Sequence, residues 1–263
     1  ASRPMKTTMI DRTGALCSGL RMSRSISTPI AKEIITVRMK ATQKLIPQLT
    51  AHHRCIAIDL LGFGQSPAPE GATYTIEEHV DAIAATIASL KLRAPFMLVG
   101  HSLGALLSAR YTAKFPAQVS RLVLVSPPVY IAQSEVGDPR VRMQLGFYMK
   151  AYEFLRNNKD FTIANATRIG KLLQISAVFE ISERNWTPFI LSLQNCIESQ
   201  TTVSDIAAVQ VPIDVVYGAL DQFMAPGTMR IIEQMRHVTM HRVEVNDHLI
   251  RTRLARELVS VIG

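Results

Sequence analysis

Cysteine is scarce in this chain of 263 residues: Cys17, Cys55 and Cys196 are an odd number at wide spacing. There is no CxxC pair and nothing like the density of a stapled secreted domain, so a disulfide framework is excluded and the thiols read as reduced. Long apolar runs are missing too, none reaching the roughly eighteen residues that a membrane-spanning helix needs. No charged stretch leading into an apolar one opens the sequence. The expectation is a cytoplasmic protein without a membrane span. Acidic residues are almost absent from positions 1–32, where Asp11 stands against Arg3, Lys6, Arg12, Arg21, Arg24 and Lys32. This segment therefore accounts for most of the formal net charge of +8, leaving 23 Lys and Arg against 20 Asp and Glu in the remainder. So small an excess excludes a phosphate-tracking surface, and no nucleic-acid partner is expected. Residues 1–33 read as a basic, disordered N-terminal segment, a composition shared with organellar transit segments. Repeats and low-complexity tracts are lacking as well.

What is present is an alternation of short apolar runs with helical stretches, the signature of a mostly parallel sheet with helices on both faces. Cys55–Leu60, Phe96–Val99, Arg121–Val125, Ile213–Tyr217 and Val238–Val245 read as strands. Thr75 followed by Glu78 reads as a capping box opening a helix from Ile76 to about Leu92, with Val80, Ile83, Ala84, Ile87 and Leu90 on one stripe. Further helices are expected from Leu103 to Lys114, where Pro116 stops the run, from Gly227 to Arg236, and from about Leu249 to Val261. Residues 131–205 hold helical patterns, no clear strand, and Phe147, Tyr148, Tyr152, Phe154, Phe161, Phe179, Trp186 and Phe189. That enrichment predicts a helical cap with an apolar underside. The expected division is a core of 34–130 and 206–263 with a cap at 131–205.

The chemistry is carried by Gly100-His-Ser102-Leu-Gly104, a GxSxG pattern between a strand and a helix. In that context it is a nucleophile elbow, a strained turn that exposes the serine hydroxyl, with glycines where side chains would collide with neighbouring backbone. The Leu103 amide and the dipole of the following helix then favour a developing oxyanion. Serine needs a histidine base, itself oriented by a carboxylate. Of seven histidines, His52, His53 and His237 precede strands, His79 sits on a helix, His241 lies within a strand, and His101 flanks the serine. His248 alone follows a strand at the carboxyl edge, where open α/β sheets place their sites. Asp221 supplies the acid in the order Ser, Asp, His and is favoured over Asp247, whose adjacency to His248 is a poor geometry for orienting it.

At these residues the sequence resembles the α/β-hydrolase superfamily, in the branch of esterases, lactonases, non-haem haloperoxidases and carbon–carbon bond hydrolases, over about residues 41–263. Asp59-Leu-Leu-Gly-Phe-Gly-Gln-Ser66 is similar to the family's D-x-x-G-x-G-x-S turn, and Gly218-x-x-Asp221 and Asp247-His248 match its acid and base positions. The resemblance implies a serine hydrolase acting on a small or medium apolar carboxylic ester or a related carbonyl compound, with no metal or organic cofactor. A serine at 102 argues against the dehalogenases and epoxide hydrolases, which use aspartate. One departure stands out. Relatives carry a His-Gly pair after the third strand that supplies a second oxyanion donor, whereas residues 30–40 hold no glycine, and Ala41–Leu49 looks like the helix that follows the loop. The expectation is a slower enzyme, or a relative that binds an apolar ligand without turning it over. If a half-built oxyanion hole limits turnover, replacing Arg38-Met39-Lys40 with a His-Gly loop raises kcat by about 10²-fold, roughly 2.7 kcal/mol, with KM unchanged in steady-state assays.

Overall fold

The computed structural model of the chain describes residues 7–10, 16–17, 33–38, 45–92, 95–130, 139–172 and 181–263. Its strands are β1 (Thr7–Ile10), β2 (Leu16–Cys17), β3 (Glu33–Arg38), β4 (Arg54–Asp59), β5 (Phe96–His101), β6 (Val119–Val125), β7 (Ile213–Gly218) and β8 (Val238–Val243). Among the described residues they form one sheet in the order β2-β1-β4-β3-β5-β6-β7-β8. The six from β3 onward are parallel, and β1 runs antiparallel to β4 and β2. The chain lays β4 on one side of β3 and β5 on the other, so the winding direction reverses between β3 and β5. Such a reversal opens a crevice beyond the carboxyl ends of the strands.

Strand periodicity sorts the core into two layers. Ile35, Val37, Leu98, Leu122, Leu124 and Val215 pack on one face against α2 (Ile76–Ser89) and α3 (Leu103–Lys114). Ile34, Met97, Val99, Val123, Val125 and Val216 face the other way, against α1 (Ile46–Leu49) and α9 (Thr252–Ile262). Because successive residues of a strand point to opposite faces, these strands are apolar throughout, as a sheet covered on both sides requires. The last helix shows the matching stripe, with Leu254, Leu258 and Ile262 buried at four-residue spacing. Between β6 and β7 the chain runs through α4 (Pro139–Asn157), α5 (Lys159–Leu172), α6 (Trp186–Ser192), a π-helical turn (Leu193–Glu198) and α7 (Thr202–Ala208). After β7, α8 (Pro226–Glu233) leads into β8.

Several sequence expectations need correction. Residues 1–33 hold strands: Met9 pairs with Ile56 and Cys17, and Glu33 opens a strand that continues to Arg38 between β4 and β5. Arg38 is thus part of the ladder, opposite Asp59, so any grafted loop begins after it. Four residues such as Thr-Thr-Met-Ile carry too little periodicity to announce a strand whose partner lies almost fifty positions away. Met39 and Lys40, part of the place of the replaced loop, and the first four residues of the helix expected over 41–49 lie outside the described residues, and that helix is described from Ile46. The boundary expected at 205 falls inside α7, which packs on α3 through buried Ile206 and the Asp205–Arg110 ion pair at 2.8 Å. The aromatic side chains expected to form an apolar underside divide between core and surface. Phe189 packs against the main core, but Phe154 and Phe161 are about half exposed and face water. Phe179 and the side chains of Phe147 and Tyr148 lie outside the described residues.

The start of α2 also differs in detail. Thr75 Oγ1 accepts from the Glu78 amide at 3.2 Å, but the Glu78 carboxylate does not return to Thr75. It accepts from the amides of Thr73 at 2.8 Å and Tyr74 at 2.6 Å, because Tyr74 is held at φ +52° and presents both donors to it. Thr75→Ala should therefore cost about 1 kcal/mol, read as a lower urea midpoint at unchanged m-value.

Candidate active site

Three side chains from three loops meet at the carboxyl edge of the sheet. Ser102 follows β5 directly and opens α3, with φ +54° and ψ −125°. A serine in that region is strained, and such strain persists only where surrounding structure enforces it. Here the enforcement is close backbone packing. A Cβ on Gly100 would strike the Gly104 carbonyl, with Ser108 Oγ at 2.6 Å and the Cα of Ala105 at 2.7 Å. A Cβ on Gly104 would lie 2.5 Å from the Val37 carbonyl oxygen of β3. The two glycines let α3 start on top of β3 and β5 with only Ser102 between strand and helix. The Leu103 amide, at the first position of the helix, has no carbonyl within the helix to bond.

His248 sits in a loop after β8 that is fastened at several points. The chain turns at Val245, an exposed β-branched residue at φ +55°, which the loop geometry imposes. The Asn246 side-chain amide donates to the carbonyls of Asp247 at 2.7 Å and Leu249 at 3.0 Å. The Asp247 carboxylate accepts from the Leu249 amide at 3.1 Å and from Arg251 Nε at 2.8 Å. On the facing loop, the Leu220 amide donates to the Asn246 carbonyl at 2.9 Å, tying the turn after β7 to the turn after β8.

Within this frame His248 Nε2 stands 3.0 Å from Ser102 Oγ. Its Nδ1–H donates to both carboxylate oxygens of Asp221, each at 3.0 Å. The Asp221 side chain is fully buried and also accepts from the Phe223 amide at 3.0 Å. The imidazole lies between two rings, Phe223 edge-on at 4.8 Å and His101 tilted at 5.2 Å between centroids. His101 Nε2–H in turn donates to the His248 carbonyl at 3.0 Å. Burial lowers the His101 pKa to about 4, with the neighbouring His248 charge pushing the same way, so His101 is neutral at ordinary pH.

The structure thus brings Ser102, His248 and Asp221 together, places Leu103 beside them, and sends Asp247 to Arg251. Of the five remaining histidines, His52 is exposed in a turn and four have partners elsewhere: His79 with Ser192 Oγ at 3.0 Å, His241 with Asp214, His237 with the Ile206 carbonyl, and His53 with the Gly263 carbonyl at 2.7 Å. Sequence reasoning missed the flanking rings. Phe223 is two residues from Asp221 and bonded to it through a local turn, a signal available in principle. The reach of His101 across to residue 248 is not local and had none.

The family model described as alpha/beta hydrolase fold matches residues 39–250. The probable lysophospholipase BODYGUARD 1 of Arabidopsis thaliana is 37% identical over 93 residues, which is 34% of this chain and 20% of the relative. The 2-hydroxy-6-oxo-2,4-heptadienoate hydrolase of Pseudomonas putida is 40% identical over 81 residues, 31% of this chain and 29% of that protein. The matched region therefore spans only about a fifth to a third of these curated relatives. Among solved structures, the haloalkane dehalogenase DbeA from Bradyrhizobium elkani superposes with a TM-score of 0.69 at 16% identity, covering 99% of this chain and 96% of the other. At that identity the likeness is one of fold alone.

The two carboxylates near His248 make different predictions. Asp221→Asn should abolish the strongly downfield Nδ1–H proton resonance of His248, whereas Asp247→Asn should leave it in place while releasing Arg251. Proton NMR of the two variants checks this, and loss of the signal only in the 247 variant would reverse the assignment.

Proposed function

The chain belongs to the alpha/beta hydrolase fold family, and from that membership we propose that it is a serine hydrolase cleaving a carboxylic ester with Ser102, His248 and Asp221 as its triad. The observation that carries the reading is the unbroken chain of contacts from Ser102 Oγ through both imidazole nitrogens to Asp221, at 3.0 Å each, with the serine on a strained turn at the sheet's reversal. In this reading His248 Nε2 takes the hydroxyl proton as Oγ attacks the ester carbonyl. The imidazolium that forms is held by the buried Asp221 carboxylate, which also keeps the proton on Nδ1 in the resting enzyme. The Leu103 amide donates to the oxyanion, where a single well-placed donor is worth about 10²–10³ in kcat. His248 returns the proton to the departing alcohol, and water repeats the sequence on the acyl-enzyme.

The helices between β6 and β7 serve as the cap that shapes the acyl site, for a small or medium apolar acyl group. Cys55 and Cys196, both buried as free thiols, fit a reducing compartment such as the cytoplasm. Among the described residues no helix is long and apolar enough to cross a membrane. A second reading, cleavage of a carbon–carbon bond next to a ketone, is favoured by the likeness to the Pseudomonas putida hydrolase and uses the same three residues.

A series of p-nitrophenyl esters of rising chain length, with a fluorophosphonate probe as an active-site label, tests the proposal. Ser102→Ala and His248→Ala should each lower kcat by roughly 10⁴–10⁶-fold, and the double variant should be no worse than either, because the pair acts as a unit. Turnover and labelling that survive Ser102→Ala would overturn the triad. A wild type that neither labels nor turns over any ester or diketone would make this a binding protein.

A further inference from the structure

The body of the chain has little net charge, but α4 and α5 do not share that balance. Residues 139–172 carry seven Lys and Arg against two acids, Glu153 and Asp160. Two of these cations are engaged in ion pairs outside the helices, Arg156 with Glu198 at 2.9 Å and Lys159 with Glu183 at 2.7 Å. The same hairpin carries three of the most exposed large apolar side chains among the described residues: Met143 at 74%, Phe154 at 51% and Phe161 at 50%. Phe154 and Phe161 meet edge to face, with centroids 5.6 Å apart, so the two helices present one continuous aromatic ridge to water.

The periodicity places charge on that ridge selectively. At about 100° per residue, Met143, Lys150 and Phe154 fall within roughly 40° of one another on α4, and Arg168 lies about 20° from Phe161 on α5. Lys150 and Arg168 are both exposed. Glu153 and Asp160 are each turned about 100° away from the adjacent phenylalanine. The face therefore combines exposed aromatics with cations alone, while its acids sit on the flanks.

From this arrangement we propose that the α4–α5 face docks the protein on an anionic lipid surface. Aromatic and methionine side chains entering the headgroup boundary, with lysine and arginine reaching the lipid phosphates, is the physics of an interfacial helix. Charge complementarity selects this occupant over a second copy of the chain, since a two-fold pairing of this face would bring the cations of one copy against the cations of the other. The inference concerns where the molecule sits and is independent of the proposed hydrolysis.

Sedimentation of the full chain with vesicles of phosphatidylcholine, alone or mixed with phosphatidylglycerol, tests it. The wild type should pellet with the anionic vesicles at least about tenfold more strongly than with the neutral ones, and raised salt should release it. Phe154→Ser/Phe161→Ser and Lys150→Glu/Arg168→Glu should each reduce the partition coefficient by about tenfold or more, at unchanged thermal midpoint. If the serine variant fails to fold, the charge-reversed one decides. A wild type that stays in the supernatant, or charge-reversed protein that pellets as well as wild type, overturns the proposal. So does a dimer in sedimentation velocity that the serine variant dissociates, or binding to polyglutamate without binding to vesicles.

Discussion

The arrangement depends on how closely α3 approaches the strands beneath it. Gly104 rests against the Val37 carbonyl and Gly100 against the first turn of α3, so strand and helix are separated by Ser102 alone. A wider spacing would relax the turn and withdraw the hydroxyl into the sheet. The cost of a serine at φ +54° is of order 1–3 kcal/mol, and it is sustained by the apolar contacts that α3 makes through Leu103, Leu106, Leu107 and Tyr111. The site and the core are in this sense one packing problem. Val37 contributes both a core side chain and the carbonyl that sets the helix height, which is why the central position of β3 matters to Ser102.

A second layer of constraint acts on the imidazole. Three separate loops converge on it, and each is fixed by bonds that use backbone groups more than side chains: Leu220 to Asn246, His101 to the His248 carbonyl, Phe223 to Asp221. The ring is also held between Phe223 and the neutral His101. A neutral neighbour matters there, because a second cation 5 Å away would oppose any positive charge forming on His248. Full burial of His101 keeps a second proton off its ring.

Much of this was legible in the sequence, and the part that was not follows a physical pattern. Leu103–Lys114 stands as expected because a glycine-bounded start and Pro116 define it locally. Ser102 and Asp221 could be singled out because each follows a strand that itself reads as a short apolar run, and His248 because it follows an alternating one at the same edge. The N-terminal strands could not. Thr7–Ile10 owes its conformation to the ladder with β4, and a ladder is a property of two distant segments. The half-used capping box at Thr75 has the same origin, since it depends on Tyr74 adopting a left-handed backbone that only the tertiary packing enforces. Exposure of Phe154 and Phe161 was equally hidden, because aromatic content does not say which way a helix is turned.

The long helical excursion leaves the sheet after β6 and rejoins it at β7, and those strands are hydrogen-bonded neighbours, with Val125 opposite Val216. Its two ends are thus anchored side by side on the same ladder, whose hydrogen bonds close without the residues between them. Lengthening such a detour is cheap, roughly 0.6 kcal/mol for each doubling of a flexible loop. The frame that carries Ser102, Asp221 and His248 therefore behaves as a socket. The first part of the detour, α4 and α5, is in this sense an interchangeable fitting, whereas its last part is built into the socket, with Phe189, Cys196 and Ile206 packed into the same core as α3.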